Sequence, residues 1–319
     1  MDAPSSSLER NPAFATLLDR LRRGEPAALA RCLTLVEQGG ALADTISRAI
    51  YPATGRSAVV GFSGPPGAGK STLIDAYVTH LRAAGRTVAI AAVDPSSPIS
   101  GGAVLGDRVR MQRHTEDPGV FIRSIASRGH LGGLSESIHL VVDLMDASGR
   151  DVIVIETVGA GQSEVEIAEV ADVCVVVNAP GLGDDVQAIK SGILEIADIL
   201  VVNKADLPLA SRTVDQLRAM LKLRVENSDV AVVETIATSG AGVSELAAAI
   251  DAGAARTPSQ KRANRLRRVR RLVAQSAGRQ IRDQVLALND AGTEAILQAA
   301  LRGEVGIAEA ASRVLRNIP

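Results

Sequence analysis

The most specific chemistry in this 319-residue sequence lies in Gly64-Pro65-Pro66-Gly67-Ala68-Gly69-Lys70-Ser71. The string fits G-x-x-x-x-G-K-S, a phosphate-binding loop. Its glycines let successive backbone amides turn inward and form a concave nest for an anion. A helix starting at Lys70 aims its positive dipole end at the same point. Lys70 adds a compact charge for the β- and γ-phosphates of a nucleoside triphosphate, and Ser71 offers a hydroxyl to its magnesium ion. Asn203-Lys204-Ala205-Asp206 carries the second pattern, N-K-x-D. A carboxylate at 206 accepts from guanine N1–H and the 2-amino group together. Adenine has no such donor pair, so it leaves a buried carboxylate poorly paired, which costs free energy. Asn203 is expected to tie this loop to the phosphate loop, and the aliphatic stem of Lys204 to pack on the base. Thr238-Ser239-Gly240 is a weaker candidate for a second base-contacting loop. The expected GTP- and GDP-binding set is therefore Gly64, Pro66, Gly67, Ala68, Gly69, Lys70, Ser71 and Thr72, with Asn203, Lys204, Asp206, Ser239, Gly240 and Ala241.

These loops need a scaffold that brings distant segments together. Apolar runs rich in Val and Ile occupy 58–62, 88–93, 120–125, 152–155, 173–177, 199–202 and 230–233. Most show little polar alternation, the pattern of parallel strands buried on both faces. Helical patterns such as 72–84 and 186–197 lie between them. The alternation predicts an α/β fold with a doubly wound, mostly parallel sheet. Such sheets gather ligands at the carboxyl ends of their strands, where both motifs fall. Three parts are expected: a tail and helical extension over 1–56, a P-loop domain over 57–255, and a C-terminal helical arm over 256–319.

Asp94, Asp107 and Glu156 are the carboxylates expected near a metal, together with the Ser71 hydroxyl. Magnesium takes octahedral oxygen ligands and only one or two carboxylates beside phosphate and water, so some of these act through water. Gly159 is placed to meet the γ-phosphate with its amide and to report its loss. Gln162 is a candidate for orienting the attacking water, with a structural loop role as the alternative. Arg108 and Arg110 are candidates for stabilising transition-state charge, with surface ion pairs as theirs. The catalytic candidates are thus Lys70, Glu156, Gln162, Asp107 and Arg108.

Taken together, several strings resemble the MeaB/ArgK/MMAA family of G-protein chaperones for adenosylcobalamin-dependent acyl-CoA mutases. They are Ala92-Val-Asp-Pro-Ser-Ser-Pro98, Gly101-Gly102, Leu105-Gly-Asp-Arg-Val-Arg-Met111, Phe121-Ile-Arg123, Ser127-Arg-Gly-His-Leu-Gly-Gly-Leu134, Glu156-Thr-Val-Gly-Ala-Gly-Gln-Ser-Glu164 and the run 181–195. The resemblance covers residues 10–255. It implies a SIMIBI-class GTPase, a homodimer that binds a mutase, gates loading or removal of its cobalamin, and protects it. It implies slow hydrolysis until a partner stimulates it. By the same resemblance residues 94–107 match switch I, 156–164 switch II, and 181–190 a further switch in which Gln187 and Lys190 couple to the mutase. Two departures stand out: the chain has no tryptophan, which many relatives carry in the C-terminal arm, and Ser124 stands where some relatives have proline. The client mutase stays open between the methylmalonyl-CoA enzyme and a relative such as the isobutyryl- or 2-hydroxyisobutyryl-CoA enzyme.

Composition narrows the rivals. The net charge is -1 and aromatics are 2%, which argues against nucleic acid as partner of the basic run 261–271. No stretch has the roughly 18 consecutive apolar residues of a membrane span, and the first residues lack a signal peptide's apolar core. Cys32 and Cys174 are isolated in apolar runs and read as buried thiols of a reducing, cytoplasmic protein. A metallochaperone would need a His/Cys ligand cluster, and His80, His114, His130 and His139 show no such spacing. A metal-delivering GTPase, a signalling switch for another partner and a module that holds GTP without turnover remain alternatives. The N-K-x-D element speaks against an ATP-using kinase.

Overall fold

The computed structural model describes residues 12–38, 40–94, 112–126, 137–157, 163–181, 193–222, 230–255 and 258–316. The apolar runs form seven strands: β1 (Ala58–Ser63), β2 (Val88–Asp94), β3 (Val120–Ala126), β4 (Val152–Thr157), β5 (Val173–Asn178), β6 (Ile199–Asn203) and β7 (Ala231–Thr235). They build one sheet in the order β3-β2-β4-β1-β5-β6-β7, and every pairing is parallel. The doubly wound α/β reading therefore holds. β7 covers Ala231–Thr235 rather than 230–233, because the ladder pairs Thr235 with Asn203 and carries the strand past its apolar run.

Helices cover both faces of the sheet. On one face α1 (Pro12–Arg22), α2 (Pro26–Gln38) and α3 (Gly40–Ile50) share a core with α5 (Ser137–Ala147) and α6 (Ser163–Val170), through residues such as Leu21, Leu33, Ile46, Leu144 and Ile167. On the other, α4 (Lys70–Ala83) and α9 (Val243–Ala254) bury Leu73, Tyr77, Leu246 and Ile250 against Val60, Phe62 and Val175. A smaller core joins α8 (Ala210–Leu221) to β5 and β6 through Val176, Leu200, Val214 and Leu217. Of the helix expected over 186–197, only α7 (Ile193–Ile196) is described; residues 182–192 lie outside the described segments. Both thiols are free and buried, and burial pushes Cys32 up to about 11, which keeps it an inert thiol at neutral pH.

The helical extension enters the sheet through a carboxylate clamp. Asp146 on α5 accepts from the backbone amides of Gly55, Arg56 and Ser57, and from the Ser57 hydroxyl at 2.9 Å. The Ser57 hydroxyl shares that one hydrogen with the Arg150 carbonyl, 2.5 Å away. Asp146 is buried, so truncating it strands several donors at once. Asp146→Ala is expected to lower stability by about 2–4 kcal/mol, read as a shift of the urea midpoint with guanine-nucleotide affinity retained.

Residues Met1–Lys261 form one compact unit and Arg262–Pro319 a second. The C-terminal helices are α10 (Pro258–Ala287), α11 (Ala291–Leu301) and α12 (Ile307–Leu315). Asp290 caps α11 by accepting from the Thr293 amide at 2.9 Å and its hydroxyl at 2.6 Å. The second unit exposes many large apolar side chains, among them Leu266, Val273, Leu286, Leu301 and Ile307. Among the described residues no helix is long and apolar enough to cross a membrane.

Candidate functional site

The site is built where β1, β4, β6 and β7 end. After Ser63 the chain turns through Gly64, whose φ is +136°; a Cβ there would lie 2.1 Å from the Val177 carbonyl oxygen of β5. Only glycine fits that approach. At the other end of the loop Gly69, with φ +90°, is the N-cap of α4 and supplies no side-chain cap. The first amides of α4 therefore open toward the loop, the arrangement that favours an anion. The Lys70 ammonium is buried and donates to the Gly64 carbonyl at 2.7 Å and the Pro65 carbonyl at 3.1 Å. Its charge is held over the loop by the loop itself.

The parallel register sets Glu156 of β4 beside Phe62 of β1, one step from the loop. Ser71 donates to Glu156 Oε1 at 2.6 Å, and both side chains are buried. A hydroxyl and a carboxylate are thus joined at the mouth of the phosphate loop. The expected partners Asp107, Arg108, Arg110, Gly159 and Gln162 lie outside the described residues, as do Gln187, Lys190 and His130. Asp94 ends β2, but its side chain is also outside them. Among the described residues no group of three or more His, Cys, Asp or Glu is placed to hold a metal ion.

Asn203 joins the second loop to the first, as expected from the sequence. Its Nδ2 donates to the Ala68 carbonyl at 2.9 Å, while its Oδ1 accepts from the Ala237 amide and the Thr235 hydroxyl, each at 3.1 Å. Lys204 follows in the left-handed region, φ +56°, and its Nζ donates to the Gly67 carbonyl at 2.8 Å. A left-handed lysine is strained, and such strain concentrates at functional sites. Here it lays the side chain back across the phosphate loop. Between the loops is a cleft of about 200 Å³ lined by Gly69, Thr72, Asn203, Lys204, Asp206, Leu207, Ile236, Ala237 and Thr238.

Two details add to the sequence reading. Asp206 is exposed at the cleft wall. After β7 the cleft is lined by Ile236, Ala237 and Thr238, the last of them the first residue of the expected second loop, and Ser239, Gly240 and Ala241 close the turn that follows: the Ser239 and Gly240 amides donate to the Ile236 carbonyl, and the Ile236 amide donates to that of Ala241. Leu207, Thr235, Ile236 and Ala237 escaped the sequence reading. Their signal was positional, since β7 ends opposite β6 and delivers Thr235 and Ala237 to Asn203.

The sequence profile of the family described as methylmalonyl Co-A mutase-associated GTPase MeaB matches residues 29–294. The chain belongs to that family. A GTPase-class protein of Pyrococcus horikoshii is 52% identical to this MeaB-family chain over 235 residues, 72% of this chain and 74% of its own. The GTPase ArgK of Escherichia coli is 45% identical over 197 residues, 60% of each chain. The crystal structure of an LAO/AO transport system kinase superposes with a TM-score of 0.73 at 28% identity, covering 97% of this chain and 98% of that one. This MeaB-family protein is a P-loop GTPase that binds guanine nucleotide.

Proposed function

We propose that this GTPase is a chaperone of an adenosylcobalamin-dependent acyl-CoA mutase, gating loading or removal of the cofactor and protecting the enzyme. The observation that carries the reading is the family match across residues 29–294, whose description names association with methylmalonyl Co-A mutase. The strings quoted around Asp94, Glu156 and the 181–195 run support it. The client is either that mutase or a related acyl-CoA mutase.

In this reading GTP sits with its phosphates in the loop 64–71 and its base in the cleft beside Asp206. Lys70 leaves the loop carbonyls and binds the β- and γ-phosphates. Asp206 accepts the N1–H and 2-amino donors, and the Lys204 stem covers the base. Ser71 and Glu156 fit magnesium, since both offer oxygen donors and are already adjacent at 2.6 Å. When bound, the ion neutralises charge building on the phosphate oxygens. Asp94 and Asp107 are proposed as further or water-mediated ligands, and Arg108 and Gln162 for the hydrolytic step, on the sequence pattern alone. Residues 256–319 are proposed as a dimerisation arm, supported by the exposed Leu266, Val273 and Leu286 of α10, and the working compartment as the cytoplasm.

The test is capture from native lysate on the immobilised protein, once with GDP and once with a non-hydrolysable GTP analogue. A cobalamin mutase is expected in at least one state, with different yields in the two. Failure to recover any such mutase in either state, with GTP hydrolysis intact, would reject the partnership.

A further inference from the structure

We infer that Thr235 is a positioning residue for guanine recognition: it fixes the amide of Asn203, so that one side chain braces the base cleft and the phosphate loop together. The inference rests on reading the cleft beside Asp206 as the base site. Thr235 ends β7, and the ladder sets it directly across from Asn203 at the end of β6. It is 1% exposed and is not among the residues that line the cleft. It reaches a ligand only through Asn203.

The amide of Asn203 has two faces with opposite needs. Its oxygen takes two donors, the Thr235 hydroxyl and the Ala237 amide, each at 3.1 Å. Its nitrogen gives a hydrogen to the Ala68 carbonyl at 2.9 Å. A flipped amide would set its N–H groups against the Ala237 N–H and its oxygen against the Ala68 oxygen, leaving buried polar groups unpaired. The Ala237 N–H and the Ala68 carbonyl set which way the amide faces, and the Thr235 hydroxyl adds a second donor to Oδ1 that holds the side chain in that place. The neighbourhood leaves the amide little slack. A Cβ on Gly69 would lie 2.4 Å from Asn203 Nδ2, so any shift of Asn203 is felt at the start of α4. Thr235 also holds the recognition loop by its backbone, because its carbonyl accepts from the Ala205 amide at 3.0 Å. The hydroxyl is thus the adjustable part of a fixed backbone contact, placed between the carboxylate that reads the base and the loop that holds the phosphates.

A plain strand-end role would need only the shape of threonine. Valine keeps that shape and suits a strand equally well, so it removes the hydroxyl alone, while serine keeps the hydroxyl. Three proteins, wild type, Thr235→Val and Thr235→Ser, are compared for GDP and ADP affinity by calorimetry, for kcat and KM of GTP hydrolysis, and for melting temperature. Loss of one buried hydrogen bond predicts a Kd for GDP about 3- to 15-fold higher in Thr235→Val. The KM for GTP should rise by a similar factor with kcat at saturation little changed. ADP affinity should fall by a smaller factor than GDP affinity, because ADP shares only the phosphate loop, and Thr235→Ser should restore GDP binding to near wild type. The inference is overturned if Thr235→Val binds GDP as tightly as wild type, if GDP and ADP weaken alike, or if kcat falls as far as KM rises. It is also overturned if Thr235→Val loses its fold while Thr235→Ser is normal, which would make the hydroxyl structural. Equal binding of GDP and ADP by the wild type would overturn it together with the reading of the cleft, whereas a guanine preference undiminished in Thr235→Val would overturn it alone.

Discussion

Asp206→Asn is expected to move the nucleotide preference from guanine to xanthine. A carboxylate offers only acceptors, and guanine presents a matching pair of donors at N1 and the 2-amino group. An asparagine keeps one acceptor but replaces the other with an N–H₂ group, which faces the guanine amino group donor to donor. Xanthine carries a carbonyl at that carbon and keeps N1–H, so the asparagine pairs with both. Hydrogen bonds to a charged group contribute more than neutral ones, and of the two charge-assisted bonds one is lost and the other becomes neutral. The exposure of Asp206 in the described cleft reduces the effect, because water competes until the base covers the carboxylate. GDP affinity should fall about 10²- to 10³-fold, and XDP should overtake GDP. Calorimetric titration of both proteins with GDP, XDP and ADP checks this. A variant that loses GDP without gaining XDP would show that Asp206 acts on the loop and not on the base.

That Asn203 is legible in the sequence as a tie between the two loops, while Thr235 and Leu207 are not legible beside it, has one physical origin. The phosphate loop is local: the glycines, the lysine and the helix start are consecutive, so their joint geometry follows from a contiguous string. The sheet is nearly as legible, since Val- and Ile-rich runs without polar alternation have no other stable use in a chain with helical segments between them. Strand order is not local. Only the order β4-β1-β5-β6-β7 tells that Glu156 meets Ser71 and that Thr235 meets Asn203. Burial is not local either. The string around Asp206 reads as a base-binding carboxylate in an enclosed site, yet the fold presents it at an open wall. The loop after β7 is legible from Thr238-Ser239-Gly240, and Thr238 does line the cleft, but that Ile236 and Ala237 line it too follows only from where β7 ends.

Lys70→Ala is expected to reduce kcat/KM for GTP hydrolysis by about 10²- to 10³-fold, the range for removal of one pre-aimed donor from a developing charge. The site makes the loss specific to phosphate. Lys70 is buried in the loop and bonded to the Gly64 and Pro65 carbonyls, so among its described contacts truncation removes two hydrogen bonds to loop acceptors. Melting temperature should therefore move by only a few degrees, which separates loss of function from loss of fold. Lys70→Arg is not expected to rescue. The loop closes around a compact ammonium between Gly64, pressed against the Val177 carbonyl, and Gly69, pressed against Asn203. A planar guanidinium is wider and donates in a fixed fork, so it cannot occupy that point without opening the loop. The two substitutions then divide the interaction. If charge alone mattered, arginine would retain most of the rate; if the point geometry set by the two glycines matters, arginine falls with alanine. Single-turnover hydrolysis with wild type, Lys70→Ala and Lys70→Arg at saturating GTP, alongside GDP affinity, decides between them. An alanine variant that hydrolyses GTP at the wild-type rate would remove the loop from the chemistry altogether.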